Sequence, residues 1–518
     1  MSTDSAELAV GAVDLVDEDR LPNLLSVLMQ INGWTTWSRF QVHFDSAARR
    51  AAKEFTTPRL AMVTASKLTM TRWMAGTQHP RGDAAIVLEY MLGFSVHDLL
   101  APAPRRDVVA VPRPPSNASL QALRTIDFAW QTSTLRLGSP GSTQGGVWHL
   151  HGRDLFDGTL VPIQVYEARE QGDVVLIGPE DHDHLRAFVQ PTRRALLLAS
   201  TAGTGGEGVS LLDATLARQH LARDPNRILP VPRAYRLDPL TYAIVWAALN
   251  VDDALCEDDH ALAAAELQIR PILEQSRSAV GRSAFPDLSR VGSAWLGSHF
   301  CLSYTDRRLG SRAARPTASW SRLRTGEEYA MWLLFRGEQR ALAAAQAHDS
   351  PADALRTRVL CIPKEAVEEN AAHAHERLLV FLAATAMELH GLGVAVCTDL
   401  DYADLDAFDL VPGQAAVVAS WPRSDGIWHA EEVTRRPQLL MYAEAIRHAV
   451  AESVVTGSDS PARLRSLAQY LQLDWPWLVR RCRELGEAGV AGMLRARSRE
   501  LTFASLDRAL AFVGTLSP

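Results

Sequence analysis

Thr64-Ala65-Ser66-Lys67-Leu68-Thr69-Met70-Thr71-Arg72-Trp73-Met74-Ala75-Gly76 is the stretch that decides the fold at the start of this chain. It predicts a short helix that follows Ser66, opens with small and polar residues, and places Trp73 on the opposite face, in a core. A helix of this kind fits the major groove of DNA. The stretch therefore predicts a recognition helix, with these expected base contacts: Lys67, Thr69, Met70 and Thr71.

The residues on both sides of this stretch predict further helices. Thr36 is expected to cap a helix whose buried face carries aromatic residues and alanines at three-four spacing. Pro58 suits the first turn of a short helix that ends near Met62, and Pro80 is expected to start a fourth helix that Gly93 stops. Together these elements predict an all-α helix-turn-helix domain over residues 22–103.

The charge of this region differs in sign from that of the whole chain. The 518 residues carry a formal net charge of -7, whereas residues 33–106 contain ten basic and five acidic side chains. A local excess of positive charge favours contact with the DNA backbone. The arginines expected to contact phosphates are Arg49, Arg59, Arg72 and Arg81.

Residues 33–102 resemble the Xre-type, lambda-repressor-like helix-turn-helix found at the start of many large actinobacterial regulators. The motifs that carry the resemblance are Trp37, Phe40, Ala47-Ala48, Arg72-Trp73-x-x-Gly76, Pro80, Asp83-Ala84, Val87-Leu88-Glu89, Leu92-Gly93 and Leu99-Leu100. The resemblance implies a DNA-binding transcriptional regulator. Residues 130–440 are similar to the remainder of such regulators, and no activity is implied there.

The complete chain is expected to be a multidomain α+β protein. We predict an acidic disordered tail (1–21), the helix-turn-helix domain (22–103), a Pro-rich linker (104–118), a central α/β domain for dimerisation or ligand sensing (119–455), and a winged-helix-like domain (456–518). In the central domain, apolar runs predict strands at 161–168, 173–177, 195–200, 358–362, 394–398 and 415–420. The clearest unit is strand 358–362, helix 371–390 and strand 394–398.

The C-terminal region carries a second pattern that resembles a helix-turn-helix with a wing. Leucines at helical spacing precede Asp474, which is expected to cap a following helix, and residues 462–508 contain nine basic and five acidic side chains. The motif is expected either to contact DNA or to dock on a protein. The candidates for a second DNA contact are Arg480, Arg481 and Arg483.

Three weaker patterns in the central domain leave other chemistry open. The glycines of 203–208 match the spacing of a dinucleotide-binding loop, but no acidic residue is evident about twenty positions later. Three His-x-His pairs (149/151, 182/184 and 373/375) could ligate a metal only on strands, and surface or core histidines are the simpler interpretation. Residues 406–421 resemble the final strands of a degenerate phospholipase-D-like domain that has lost its His-x-Lys motif, which implies at most a binding pocket.

Composition bounds the remaining expectations. The five cysteines are scattered, no apolar run is long enough to span a membrane, and the first twenty residues carry no basic leader, so we expect a cytoplasmic protein with reduced thiols. No cofactor, metal or catalytic residue is expected. The expected partners are double-stranded DNA and a second copy of the chain, with a small-molecule effector or a protein partner as candidates for sensing. The alternatives are an enzyme or nucleotide-binding protein acting through the central domain, and a scaffold for another regulator.

Overall fold

The structure of the protein is a computed structural model that describes most of residues 34–100 and, before them, only positions 23, 25, 26 and 29. Beyond these it describes 143–178, 194–201, 208–223, 228–310, 318–336, 356–369, 374–420 and 427–518, with short gaps at 35, 56, 93–95, 151, 153–154, 276, 282–283, 286 and 323–325. The chain forms two compact units, Met1–Pro112 and Arg113–Pro518. The acidic tail (1–21) and the Pro-rich linker (104–118) expected from the sequence lie outside the described residues.

The first unit is helical. Its elements are α1 (Trp37–Glu54), a 3₁₀ helix (Pro58–Met62), α2 (Lys67–Met74), α3 (Asp83–Leu92) and α4 (Val96–Leu100). The expected helices are therefore present, with two local differences. Thr36 precedes α1 but makes no side-chain capping bond. The fourth helix begins at Asp83 rather than Pro80, because Gly82 has a φ of +55°, a left-handed conformation that a helix cannot contain.

The core of the first unit is built around the aromatic face of α1. Phe40, Phe44 and the alanines of α1 are buried, as the three-four spacing predicts, and so is Trp73 of α2. The rings of Phe44 and Trp73 lie 6.2 Å apart between centroids. Asn23 Nδ2 donates to Trp73 O over 2.7 Å. Trp73 thus fixes α2 to the rest of this unit.

The second unit contains two mixed sheets. The six-stranded sheet comprises β1 (Thr143–Leu150), β2 (Thr159–Gln171), β3 (Val174–Ile177), β4 (Leu196–Thr201), β5 (Gly208–Asp213) and β6 (Leu229–Pro232). Its order is β5-β4-β2-β3-β6, with β1 also paired to β2, and only the β2–β4 pair is parallel among these pairings.

The seven-stranded sheet comprises β7 (Arg277–Gly281), β8 (Ala318–Ser321), β9 (Arg356–Cys361), β10 (Leu392–Cys397), β11 (Ala407–Val411), β12 (Ala415–Ala419) and β13 (Ile427–Val433). Its order is β10-β9-β8-β11-β12-β13-β7; the β10-β9-β8 part is parallel and the other pairs are antiparallel. The predicted strands therefore form, within a few residues of the expected bounds. The fold is mixed α+β, since antiparallel pairs extend a short parallel core.

Helices cover these sheets. They are α5 (Ala214–Arg223), α6 (Pro239–Ile269), α7 (Arg290–Leu309), α8 (Gly326–Leu334), α9 (Lys364–Glu369), α10 (Ala374–Leu389) and α11 (Arg436–Ala451), with short 3₁₀ helices at Arg233–Tyr235, Ile272–Glu274 and Leu400–Tyr402. The expected strand-helix-strand unit is β9, α10 and β10. One face of the seven-stranded sheet packs against α11 in a separate apolar cluster, and the other face contributes to the main core of the unit.

The C-terminal residues form four helices and belong to the same compact unit. They are α12 (Ser460–Tyr470), α13 (Trp475–Ala488), α14 (Val490–Met493) and α15 (Ala504–Thr515), and their apolar residues share one core with the central sheets and helices. Residues 456–518, all of which the structure describes, contain no β-strand beyond a single bridge between Leu501 and Phe335. The expected wing is therefore not formed. Backbone groups of the segment where the wing was expected bond to central residues instead. For example, Thr502 N donates to Leu334 O over 2.9 Å.

A buried ion network fixes this C-terminal segment. Arg194 contacts Asp213 over 2.9 Å, pairs with Asp252 of α6, and donates to Arg495 O over 2.8 Å. Asp252 also accepts the backbone N–H of Ser498 over 2.6 Å. The network joins strand, helix and C-terminal segment in one place. In the described parts of both units, no helix has the length and apolarity that crossing a bilayer requires.

Candidate nucleic-acid interface

The helix that the sequence predicts after Ser66 forms as α2. Ser66 precedes α2 and its Oγ accepts the backbone N–H of Thr69 over 3.1 Å, which satisfies one of the free donors at the helix start. The hydroxyls of Ser66 and Thr69 are 2.8 Å apart. The expected cap is thus confirmed, and it fixes the helix start.

The two sides of α2 differ in exposure. Met70 and Trp73 are buried, at 5% and 3% exposure. Lys67, Thr71 and Arg72 are exposed. Residues four apart share a face of a helix, so Lys67 and Thr71 lie together, with Arg72 beside them. The exposed side combines positive charge with a hydroxyl, which suits contact with a polyanion that carries base edges.

Two of the four predicted base contacts change role. Met70 faces the core of the first unit and not solvent, because the eight-residue α2 has an inner row formed by Met70 and Trp73. Thr69 is half-buried and its side chain takes part in the cap at Ser66. The prediction that Met70 contacts a base is therefore wrong, because Met70 packs in the core. Lys67 and Thr71 are accessible to a ligand.

The hydrogen bonds of Thr71 restrict what it can recognise. Its Oγ1 donates to Lys67 O over 3.0 Å, so the hydroxyl proton is used within the helix. The oxygen lone pairs and the methyl group remain for a ligand. Thr71 can thus accept from a base amino group or contact a thymine methyl group.

Leu68 is the residue on this surface that the sequence analysis missed. Its exposed fraction is 58%, next to Lys67 and four residues before Arg72. Met62, which ends the preceding 3₁₀ helix, is 82% exposed. The four-residue spacing between Leu68 and the exposed Arg72 already places Leu68 on the polar face. An exposed apolar side chain in such a position can contact the methyl group of thymine.

A shallow recess borders the same surface. It has a volume of about 360 Å³, and its lining residues are Ser26, Trp37, Lys67, Met70, Thr71, Met74 and Ala75. Two of the three exposed polar residues of α2, Lys67 and Thr71, line it, and Arg72 does not. The exposed side of α2 is therefore bordered by a concave recess.

The four predicted phosphate contacts are all exposed and come from different elements of the first unit. Arg72 lies on α2 and Arg81 follows it. Arg49 lies on α1, where its Nε donates to Asp45 O over 3.3 Å. Arg59 pairs with Asp83 over 3.2 Å, with 72% of the arginine side chain exposed. Such an exposed pair contributes about 0–1 kcal/mol, so a phosphate can replace Asp83 at low cost.

Of the three arginines predicted to form a second DNA contact, two use their side chains for bonds within the protein. Arg481 is fully buried, pairs with Asp238, and donates to Ala234 O over 3.1 Å. It is corrected to a structural residue that ties α13 to the start of α6. Arg483 is exposed but its Nε donates to Gly514 O over 2.7 Å. Arg480 is exposed on α13.

Other basic residues of this C-terminal region also pair with acids. Arg463 contacts Glu388 over 2.6 Å, and Arg497 contacts Asp253 over 3.2 Å. The local positive excess counted from the sequence is thus offset by carboxylates of the central helices.

Three buried polar side chains on two packed helices of the second unit were not anticipated. Glu327, His375 and Glu376 are each at most 3% exposed, on α8 and α10. Glu327 Oε2 accepts Leu155 N over 2.6 Å, and Glu376 Oε2 accepts Gly326 N over 3.4 Å. The imidazole lies edge-on to Trp246. The sequence shows Glu327 beside Glu328 only; the structure adds that α8 and α10 pack together, with Glu376 against Gly326.

The weaker sequence patterns have mixed outcomes. The 203–207 glycines, the 182/184 pair, His151 and His373 lie outside the described residues. Among the residues that are described, no group of three or more His, Cys, Asp or Glu side chains is arranged to hold a metal ion. Residues 407–419 form the β11–β12 hairpin, with its turn at Gly413 (φ +68°).

No family model, curated protein or solved structure matches the chain.

Proposed function

We propose that the protein is a sequence-specific DNA-binding transcriptional regulator that reads the major groove with α2. The observation that carries this proposal is the division of α2 into two sides: Trp73 and Met70 fix the helix in the core, and Lys67, Thr71 and Arg72 face solvent. The excess of basic residues in 33–106 supports attraction to the DNA backbone. Within the described part of the first unit, neither Lys67 nor Arg72 forms an ion pair, whereas Arg59 pairs with Asp83.

The protein acts in this proposal as a homodimer. One eight-residue helix contacts few base pairs, and a two-fold dimer gains affinity by placing two such helices on half-sites one helical turn apart. The second unit then supplies dimerisation and the response to a small molecule or a protein partner, in the cytoplasm. Light scattering of the full chain tests the dimer; a monomer that protects a symmetric DNA footprint would contradict it.

The direct test of DNA reading is selection from a random duplex pool by the full chain, followed by binding measurements on the selected duplex. Lys67→Ala and Thr71→Ala should each weaken specific binding by about 5- to 150-fold, the range for one base contact. Arg72→Ala should weaken binding to all sequences and reduce the salt slope by about one.

Arg218→Ala is the matched control, since Arg218 is exposed on α5 of the second unit. It should leave affinity and salt slope unchanged. Circular dichroism verifies that every variant is folded. No enrichment of any duplex, or enrichment with indifference to all three α2 substitutions, would refute the proposal.

A second candidate function is an enzymatic activity in the second unit, and the burial of Glu327, His375 and Glu376 on two packed helices favours it. Buried carboxylates and imidazoles are groups that enzymes use for proton transfer. A thermal-shift screen of small acids, nucleotides and phosphate esters tests this candidate with wild-type protein and with Glu376→Gln. A ligand that raises the melting temperature of the wild type but not of Glu376→Gln would favour the enzyme. Enrichment of a DNA duplex in the selection experiment, with no such ligand found, would favour the regulator.

A further inference from the structure

Two of the five cysteines lie side by side in the seven-stranded sheet. Cys361 ends β9 and Cys397 ends β10, and the two residues are register partners in the parallel pairing of these strands. Both thiols are free, at 0% and 4% exposure, and both face the apolar cluster under α11. Ile362 N donates to Cys397 O over 2.9 Å, so the pairing continues to the strand ends.

This juxtaposition satisfies the main distance requirement of a disulfide. Neighbouring strands are about 4.8 Å apart, and disulfide-linked Cα atoms are usually about 4.4–6.8 Å apart. Side chains of register partners on parallel strands point to the same face. At this strand spacing, the Cβ atoms of the two cysteines are slightly farther apart than the usual value of about 3.8 Å in disulfides. A small shift of both strands is therefore needed to close the bond. Because the closed bond is strained, it is readily reduced.

The surroundings of the two sulfurs make them chemically unequal. The S–H of Cys361 donates to the Cys397 sulfur, and Asp399 N–H also donates to it; these bonds lower the pKa of Cys397 to about 7 against the opposing effect of burial. The same contact raises the pKa of Cys361 well above its usual range. The other titratable groups near Cys397 are the Asp399 carboxylate and His448 of α11, which are 3.8 Å apart.

The thiol of Cys397 also lies near solvent, although it is buried. The residues that follow β10 are exposed at Asp399, Leu400 and Asp401. Cysteines that react with peroxides combine a stabilised thiolate with a neighbouring thiol that resolves the product.

We propose that Cys361 and Cys397 form a hydroperoxide-sensitive dithiol, in which Cys397 reacts first and Cys361 resolves it to a reversible disulfide. The Cys397 thiolate attacks one oxygen of hydrogen peroxide; an S–O bond forms, the O–O bond breaks and hydroxide leaves. The Cys361 sulfur then attacks the Cys397 sulfenic acid; an S–S bond forms, the S–O bond breaks, and water leaves with the Cys361 proton. Two electrons pass from the sulfurs to the peroxide.

The test treats the full chain with hydrogen peroxide, quenches it, and counts thiols after denaturation. Free thiols should fall from five to three per chain and return to five after mild reduction with dithiothreitol. The tryptic peptides 359–364 and 378–423 should appear joined by a disulfide. Retention of all five thiols, or a crosslink through another cysteine, would overturn the proposal without any variant being needed.

Variants separate the two roles. Cys361→Ser should stop at a sulfenic acid on Cys397 that dimedone traps, and Cys397→Ser should leave Cys361 reduced. Cys256→Ser is the matched control, because burial raises the pKa of the Cys256 thiol to about 11, and it should form the 361–397 disulfide like the wild type. Dimedone labelling of Cys361 in the Cys397→Ser variant would reverse the assignment and overturn the proposal as stated.

Discussion

Replacing Arg194 with Met removes the cation at the centre of the buried ion network and keeps most of the side-chain volume. The carboxylates of Asp213 and Asp252 then stay in the core with side-chain exposures of 3% and 1%. Removing one partner of a buried ion pair costs about 3–5 kcal/mol, because it leaves an uncompensated charge. Asp252 retains the backbone N–H groups of Arg497 and Ser498, at 2.9 and 2.6 Å, so we expect the lower end of that range.

The pH dependence of this cost has a definite sign. Burial raises the pKa of Asp252, and Arg194 lowers it. Without Arg194 the folded-state pKa rises further above the unfolded value, so the folded variant binds a proton more tightly than the unfolded chain. The stability deficit of Arg194→Met is therefore greatest at neutral pH and shrinks as the pH falls through the raised pKa of Asp252.

The assay is urea denaturation of the full chain at neutral and mildly acidic pH, with hydrogen exchange to locate the loss. Segment 495–503 should exchange faster in the variant, because Arg194 also donates to Arg495 O over 2.8 Å. Arg307→Ala is the matched control: its pair with Glu274 is exposed at 42% and 71%, and its loss should cost less than about 1 kcal/mol. Equal costs for the two variants, or a deficit that grows in acid, would refute the reasoning.

Three further predictions concern single residues. Trp73→Ala should lower the stability of the first unit by about 3–5 kcal/mol, since it removes a core indole; calorimetry of the full chain should show one transition moving to lower temperature. Arg481→Ala should cost about 3–5 kcal/mol in a urea titration, whereas exposed Arg480→Ala should change stability by less than about 0.5 kcal/mol. Burial raises the pKa of Asp507, which accepts Val490 N over 2.8 Å, so the wild type should gain stability relative to Asp507→Asn as the pH falls through that raised pKa.

Each of these has a contradicting outcome. An unshifted calorimetric profile for Trp73→Ala would mean that the indole does not support the first unit. Equal effects at positions 480 and 481 would contradict the burial of Arg481. Parallel pH profiles of the wild type and Asp507→Asn would contradict the raised pKa of the carboxyl.

Local signals in the sequence predicted local structure well. The Ser66 cap, Pro58 at the first turn of the 3₁₀ helix, and the buried face of α1 follow from interactions within a few residues. The β9-α10-β10 unit was predictable for the same reason: its strands are short apolar runs on either side of one helix. Two local predictions were nevertheless wrong, since Thr36 makes no capping bond and the helix expected at Pro80 begins at Asp83.

Features that depend on distant partners were not predictable. The basic residues of the C-terminal region suggested a DNA contact, yet Arg481 pairs with Asp238 and Arg463 with Glu388, which no local count of charge includes. Met70 was expected to contact a base but lies in the core, and Leu68 is exposed beside Lys67, because sequence alone does not show how an eight-residue helix is rotated against its core. The expected wing failed for a related reason, since its backbone groups find partners in α8.

The shared core of the second unit also has a consequence for synthesis. Residues of α13 and α15 fill the same apolar interior as strands β1 and β2. A ribosome must therefore translate α15 before that interior can close, whereas the contacts of the first unit are complete once its own helices have emerged. During translation the nascent chain carries a folded first unit followed by a long segment with exposed apolar surface, the kind of species that chaperones protect.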